Sequence, residues 1–242
     1  LSDGQDRPAD FAQVNWNAAM NWVRQREKMV REQIARRGIR DERVLDAMRS
    51  VPRHLFVPAE ARERAYWDGP LPIGCNQTIS QPYIVAAMTG RLELKAEENV
   101  LEIGTGSGYQ AAVLARLARM VHTVERHENL ARQAATLFAE LGIANITVHI
   151  GDGSAGWPEC APYQAVVITA AAPSVPRTIL DQLADGGRLV LPVGGSGGQD
   201  LQRWRRQGDT FAHESIFPVS FVPLRGEEGW SDEEWERHST LI

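Results

Sequence analysis

From Asn99 onward the chain alternates short β-branched runs with stretches of helical periodicity, and this alternation limits the fold more than any other feature. Strands joined by crossover helices run parallel, and a sheet built that way is covered by helices on both faces. Strand candidates fall at 100–103, 121–125, 146–150, 165–169 and 188–192, with helices expected at 109–118, 129–141 and 175–183. Beyond a glycine-rich turn at 194–198, residues 201–204 and 211–224 read as strands with no helix between them, so they must pair antiparallel. The predicted fold is α/β, a mostly parallel, doubly wound sheet that ends in a C-terminal antiparallel hairpin.

Upstream, residues 1–15 are polar and mixed, with Gly4 and Pro8, and read as a flexible lead-in. Residues 16–37 place Val23, Val30 and Ile34 at helical spacing, and Gly38 supplies a stop. Asp41 is a candidate cap for a short second helix carrying Val44, Leu45 and Met48, after which Pro52 and Pro58 force irregular chain.

With 242 residues, 43% of them apolar, the chain can bury one sizeable core, which predicts one catalytic domain with a small N-terminal extension. Lys and Arg number 26 against 31 Asp and Glu, a net charge of -5. No basic field exists to hold a phosphate backbone, which argues against nucleic acid as a partner. No apolar run approaches the roughly 18 residues of a membrane span, so no membrane partner is expected. Residues 1–15 lack a signal-peptide pattern, although a first residue Leu1 rather than Met leaves room for an export signal already removed. Cys75 and Cys160 have no zinc spacing, which predicts neither a disulfide framework nor a metal site and favours a cytoplasmic location. Oligomeric state is not legible in the chain.

The chemistry concentrates where strand 100–103 runs into Gly104-Thr105-Gly106-Ser107-Gly108 and then a helix. Glycines permit a tight turn and a close approach of backbone to ligand. About twenty residues on, the next strand ends at Glu125, whose carboxylate can accept hydrogen bonds from both hydroxyls of a ribose. Gly151-Asp152-Gly153 ends the third strand at the same edge, where the acid could reach an adenine amino group; the plainer alternative is that Asp152 only sets a turn. Together these residues predict a nucleoside cofactor. A nicotinamide or flavin dinucleotide would call for G-x-G-x-x-G and a helix N-terminus facing pyrophosphate. The G-x-G-x-G spacing here favours S-adenosylmethionine, which has no pyrophosphate.

Upstream of that loop, residues 73–82 read Ile-Gly-Cys-Asn-Gln-Thr-Ile-Ser-Gln-Pro. This segment resembles the I-G-x-G-Q-T-I-S-x-P signature of the protein-L-isoaspartate (D-aspartate) O-methyltransferases. Val-Pro-Arg-His-Leu-Phe-Val-Pro at 51–58, Ala-Ala-Ala-Pro at 170–173, the 186–194 segment and Phe-Val-Pro-Leu at 221–224 resemble the same family, over roughly residues 29–224. The resemblance implies a Rossmann-like class I methyltransferase fold and transfer from S-adenosylmethionine to the α-carboxylate of L-isoaspartyl, and more weakly D-aspartyl, residues in flexible polypeptides. The product is S-adenosylhomocysteine, and repair proceeds through a succinimide. It also implies Ser80 as the active-site serine and Gln77, Thr78 and Ile79 as a lid over the methyl donor. Val222 would lend backbone hydrogen bonds to the peptide from the edge of the last strand. The cofactor set is then Gln77, Thr78, Ile79, Gly104, Thr105, Gly106, Ser107, Glu125, Asp152 and Gly153, with Thr78, Ser80 and Val222 facing the substrate. These assignments divide the chain into the lead-in 1–15, a helical extension and motif segment 16–98, a cofactor-binding core 99–226 and an acidic tail 227–242.

Residue chemistry agrees with that reading. An aspartyl-type carboxylate, with a pKa of about 4, is already a nucleophile at neutral pH, so hydroxyls that orient it suffice and no base is needed. Read without the family, Ser80 is better taken as the N-cap of the helix that carries Ile84, Val85 and Met88. Glu102 is expected to be structural, the histidines surface or core groups, and Trp67, Trp157 and Trp204 packing groups. Asn76 replaces a glycine common in bacterial relatives but tolerates positive φ; Gln164 replaces an acid, at an expected cost in stability; Cys75 is taken as a bystander. Two rivals stand beside the repair enzyme: a methyltransferase of the same fold with a small acceptor, and a non-catalytic adaptor using the tail as a partner surface.

Overall fold

The computed structural model describes residues 10–239, with side chains from 20 to 237; residues 1–9 of the expected lead-in and residues 240–242 lie outside it. The first helix, α1 (Asp10–Met29), begins earlier than the sequence predicts, so residues 10–15 are helical. It passes into a π-helical turn at Val30–Ile34 and a 3-10 turn at Ala35–Arg37 before Gly38, at φ 97°, ends it. Val30 and Ile34 are the buried face. In α2 (Glu42–Ser50) the Asp41 carboxylate accepts the Arg43 N–H at 2.9 Å, as predicted, and Val44, Leu45 and Met48 turn inward.

Between these helices and the main sheet lies a hairpin that periodicity did not show, β1 (Leu71–Gly74) and β2 (Gln77–Ile79). Its two-residue turn holds Cys75 at φ 51° and Asn76 at φ 56°. That is the pair of positive φ values a type I′ turn requires. Helix α3 (Pro82–Leu92) follows, with Gln81 at the cap position and Pro82 in the first turn.

The core is a seven-stranded sheet in the order β5-β4-β3-β6-β7-β8-β9. Its strands are β3 (Asn99–Ile103), β4 (Met120–Glu125), β5 (Ile146–Ile150), β6 (Tyr163–Ile168), β7 (Leu183–Gly195), β8 (Gly198–Gln207) and β9 (Thr210–Val219). The first five are parallel; β8 and β9 add antiparallel. Helices α4 (Tyr109–Ala115), α5 (Glu128–Glu140) and α6 (Arg177–Asp181) are the crossovers. The central strand β3 is buried on both faces: Val100 joins a core with α3, α4 and α5, while Leu101 and Ile103 join a second core with α6. This continuous burial is why its sequence does not alternate.

The predicted last strand is too long. It stops at Val219, and 220–224 peels away to lie beside the end of β6, where the Ala171 N–H donates to Val222 O and the Leu224 N–H to Ala171 O, both at 2.8 Å. The Gln199 side chain, donating to Phe221 O and accepting its N–H, holds the departing chain. The tail closes with α7 (Asp232–Ser239). Across the fold, Arg188 of β7 places every guanidinium nitrogen on an acceptor: Glu98 twice, at 2.7 and 2.8 Å, and the carbonyls of Leu92, Glu93 and Gln164. Gln164 accepts the Asn99 N–H at 2.8 Å, so the amide serves where an acid was expected. Among the described residues, no helix is long and apolar enough to cross a membrane.

Candidate active site

The strand order reverses between β3 and β6, and at such a switch point the loops leaving the carboxyl ends of the strands diverge and leave a crevice. The predicted glycine loop leaves β3 there. Its glycines are demanded by the protein itself: Gly104, Gly106 and Gly108 have φ of 95°, 52° and 86°. A Cβ on Gly104 would meet Thr169 Oγ1 at 2.4 Å, and one on Gly108 would meet the Phe138 ring at 2.6 Å. Gly153 is tight against Ile103 and Val124 in the same way.

The loop is also tied down by its own N–H groups. Gly104 and Thr105 donate to Val124 O, Gly108 to Thr105 O, and Gly106 to the Glu125 carboxylate at 2.9 Å. Within the loop, the Ser107 N–H alone lacks an acceptor among the described residues. A pyrophosphate needs several N–H groups fanned toward it. This loop does not offer them, which removes the dinucleotide alternative.

Glu125 is buried at the end of β4, and its second oxygen accepts the His127 N–H at 2.9 Å. Two bonds leave about half of a carboxylate's lone-pair directions open. Thr105 turns its hydroxyl inward to Thr123 Oγ1, 2.6 Å away, and Thr123 continues to Glu102 at 2.5 Å. Only the backbone of Thr105 is therefore available to a ligand. Glu102 is fully buried, and desolvation pushes its carboxyl up to about 8 against the pull of Thr123.

Asp152 takes up much of the role of its plainer reading. Its oxygens accept the Ser154 and Glu227 N–H groups, each at 2.8 Å. Burial raises its pKa, but these bonds outweigh that and hold it below the usual value. Gly226, at φ 140°, lies so close that a Cβ would strike the carboxylate. The segment 226–228 is thus clasped to the end of β5, a contact that the sequence did not reveal.

Three hollows meet around these residues. One, of about 70 Å³, is lined by Gln77, Gly104, Glu125, His127, Gly153 and Leu224. A second, of about 40 Å³, lies under the loop between Thr78, Ser80, Gly106, Ser107 and Thr169. The third is an open groove of about 1070 Å³ between α3 and 217–223, with Arg37, Tyr83, Val222 and Trp235 along it. Thr78, Ser80 and Thr169 line both the second hollow and the groove.

Ser80 does not cap α3: the cap position is Gln81 and no side chain caps the helix, because Pro82 in the first turn shifts the boundary by one residue. Val222 is likewise not at the edge of the last strand. Its carbonyl is taken by Ala171, while its N–H has no acceptor among the described residues and it lines the groove. Thr169 was missed as a site residue; its hydroxyl donates toward Gly104 O at 2.7 Å and Ile103 O at 3.0 Å. Trp67 proves 61% exposed rather than packed. His54 stacks on Trp22 and bonds Tyr66, and burial lowers its pKa to about 4.

A parallel sheet extended by an antiparallel hairpin, with a glycine turn after its first strand and an acid at the end of its second, defines a Rossmann-like class I methyltransferase. The profile of the protein-L-isoaspartate (D-aspartate) O-methyltransferases matches residues 24–229. The chain is 55% identical over 215 residues to a protein-L-isoaspartate O-methyltransferase of Synechococcus sp., covering 86% of this chain and 88% of that one. It is 56% identical over 219 residues to protein-L-isoaspartate O-methyltransferase 2 of Pelobacter propionicus, covering 90% and 97%. A solved protein-L-isoaspartate O-methyltransferase superposes with a TM-score of 0.78 at 28% identity, over 84% of this chain and 67% of that one. A Plasmodium falciparum relative described as being in complex with S-adenosyl-L-homocysteine gives 0.73 at 25%, over 83% and 98%. The chain belongs to the protein-L-isoaspartate (D-aspartate) O-methyltransferase family.

Proposed function

We infer that the chain methylates the α-carboxylate of L-isoaspartyl residues, and more slowly D-aspartyl residues, in damaged polypeptides, using S-adenosylmethionine and releasing S-adenosylhomocysteine. The observation that carries the site assignment is the sharing of Thr78, Ser80 and Thr169 between the hollow under the glycine loop and the open groove. A donor held on one side and a peptide on the other would meet at these three hydroxyls.

The residues fit the cofactor. Glu125 keeps lone pairs for both ribose hydroxyls, Gly104, Thr105, Gly106 and Ser107 form the floor, and Asp152 with Gly153 closes the adenine end. Gln77, Thr78 and Ile79 cover it from the hairpin. When bound, S-adenosylmethionine supplies an electrophilic methyl group on a sulfonium.

The acceptor carboxylate is ionised at neutral pH, and none of the three shared side chains is a base. Their work is orientation: the hydroxyls of Thr78 and Ser80 donate to the carboxylate and fix one oxygen toward the donor. Val222 offers its free N–H to the peptide backbone. The open groove suits an extended, flexible polypeptide. The methyl ester loses methanol more readily than a carboxylate loses water, so the peptide nitrogen attacks the ester carbonyl, expels methanol and closes a succinimide whose hydrolysis returns some normal aspartate.

Matched peptides differing only in Asp or isoAsp linkage test the reading; equal rates on both would overturn it. Ser80→Ala is expected to cut turnover by roughly ten- to a hundredfold with cofactor affinity kept, the loss of about one charge-assisted hydrogen bond. Ser80→Asp, which places a negative charge against the acceptor, is expected to abolish turnover while the melting temperature holds.

A further inference from the structure

Away from the groove and both inner hollows, the parallel register of β4 and β5 brings His122 and His149 to the same face of the sheet. His122 Nδ1 and His149 Nε2 share a hydrogen bond of 3.2 Å, one ring donating and the other accepting. Cys160, on the short 3-10 turn Pro158–Cys160, completes a cluster whose three ligand atoms all fall within 4.8 Å of one another. All three side chains are half-buried, and Trp157 stacks on the His149 ring with centroids 4.4 Å apart.

We propose that His122, His149 and Cys160 form a binding site for a borderline-soft divalent transition-metal ion, with Zn²⁺ as its ligand. Bonds of about 2.0 Å to nitrogen and 2.3 Å to sulfur put tetrahedral ligand atoms roughly 3.3 to 3.7 Å apart. The two histidine nitrogens already stand at that separation. A rotation of the half-exposed Cys160 side chain closes the remaining edges, and solvent supplies the fourth position.

The donor set fits the metal: two imidazoles and a thiolate suit zinc and exclude the hard ions, which prefer oxygen. Burial lowers the pKa of both histidines, which favours the neutral form that binds a metal. On binding, the proton shared by the two ring nitrogens moves by way of solvent to the outer nitrogen of the donor ring, both freed lone pairs and the thiolate coordinate the metal, and the thiol proton passes to solvent. Chain spacing conceals the site, because 27 residues separate the histidines and only strand register joins them.

The consequence is mechanical. Residues 151–153 lie between His149 and Cys160, so an ion at this site ties together the two ends of the connection 150–159, which includes Asp152.

The test is titration of the protein with Co²⁺ and Zn²⁺. One equivalent of Co²⁺ is expected to give intense tetrahedral visible bands and a thiolate charge-transfer band, both displaced by Zn²⁺, together with quenching of Trp157 emission. Cys160→Ser should lose the charge-transfer band and weaken Zn²⁺ binding by roughly tenfold or more, whereas Cys75→Ser should keep both. Zn²⁺ should raise the melting temperature of the parent but not of Cys160→Ser. A pale octahedral Co²⁺ spectrum, or a charge-transfer band that survives Cys160→Ser in a folded protein, would overturn the proposal.

Discussion

Replacing Glu102 by Gln is expected to change stability in a way that depends on pH. The carboxyl is fully buried in β3, with one oxygen 2.5 Å from Thr123 Oγ1 and the other without a partner. Desolvation, opposed by the Thr123 bond and reinforced by Glu125, pushes its pKa from 4.5 to about 8. At neutral pH the folded protein therefore keeps a proton on Glu102 that the unfolded chain releases. The stability so gained is complete below the unfolded pKa and is lost as pH rises through about 8. At pH 7 the loss is about 3 to 4 kcal/mol, from about 1.4 kcal/mol for each of roughly two and a half units. Glutamine needs no proton and its carbonyl can accept from Thr123, but its buried NH₂ stays unpartnered, at a cost of about 1 to 3 kcal/mol that does not vary with pH. Net stabilisation near pH 7 is thus between nil and about 3 kcal/mol, and it grows as pH rises. Urea unfolding from about pH 5 to about pH 8 should show the parent losing ground to the variant by about 1 kcal/mol per unit. Parallel profiles would show that the folded protein ionises Glu102 freely, and would refute the argument.

Glu125→Ala should weaken S-adenosylhomocysteine binding by about 1.5 to 3 kcal/mol in calorimetric titration. It also frees the Gly106 and His127 N–H groups, so an unchanged affinity would remove Glu125 from the site. Arg188→Ala strands the buried Glu98 carboxylate and should destabilise by about 3 to 5 kcal/mol in urea unfolding; a loss under about 1 kcal/mol would mean that water reaches the pair. Cys75→Asn, which eases a positive φ, should raise the melting temperature by about 1 to 2 °C in a thermal scan, and a fall would contradict the turn assignment.

Most of the parallel sheet was legible because each strand is a short apolar run bounded by a turn. The β1–β2 hairpin was not, since three- and four-residue strands, one of them carrying Pro72, are too short for a period to show, and what defines them is the pairing of Leu71, Pro72 and Gly74 with Ile79, Thr78 and Gln77. The end of β9 was misjudged because apolar residues continue to Leu224, although their partner after Val219 is Ala171 rather than β8. Motif matching singled out Ser80, Thr78 and Glu125, each carried by a local signature. Thr169 escaped because its position depends on β3 and β6 being neighbours, and the use of Asp152 by 226–228 because 75 residues separate Asp152 from Glu227. Contacts across the sheet order have no local pattern to betray them.

The β1–β2 hairpin shares no ladder with the main sheet. Its backbone bonds close on themselves, and it is seated by side chains such as Ile73, which reaches Gly106, and the buried Ile79. It can therefore swing as a unit without breaking a hydrogen bond of the seven-stranded core, a low-energy opening of the kind that local exchange reports. With Gln77–Ile79 covering the donor as proposed, ligand entry and product departure would run on the clock of a small ribbon rather than of the domain. Amide exchange at Gln77–Ile79 should outpace that of β3 in the free protein and slow when S-adenosylhomocysteine binds.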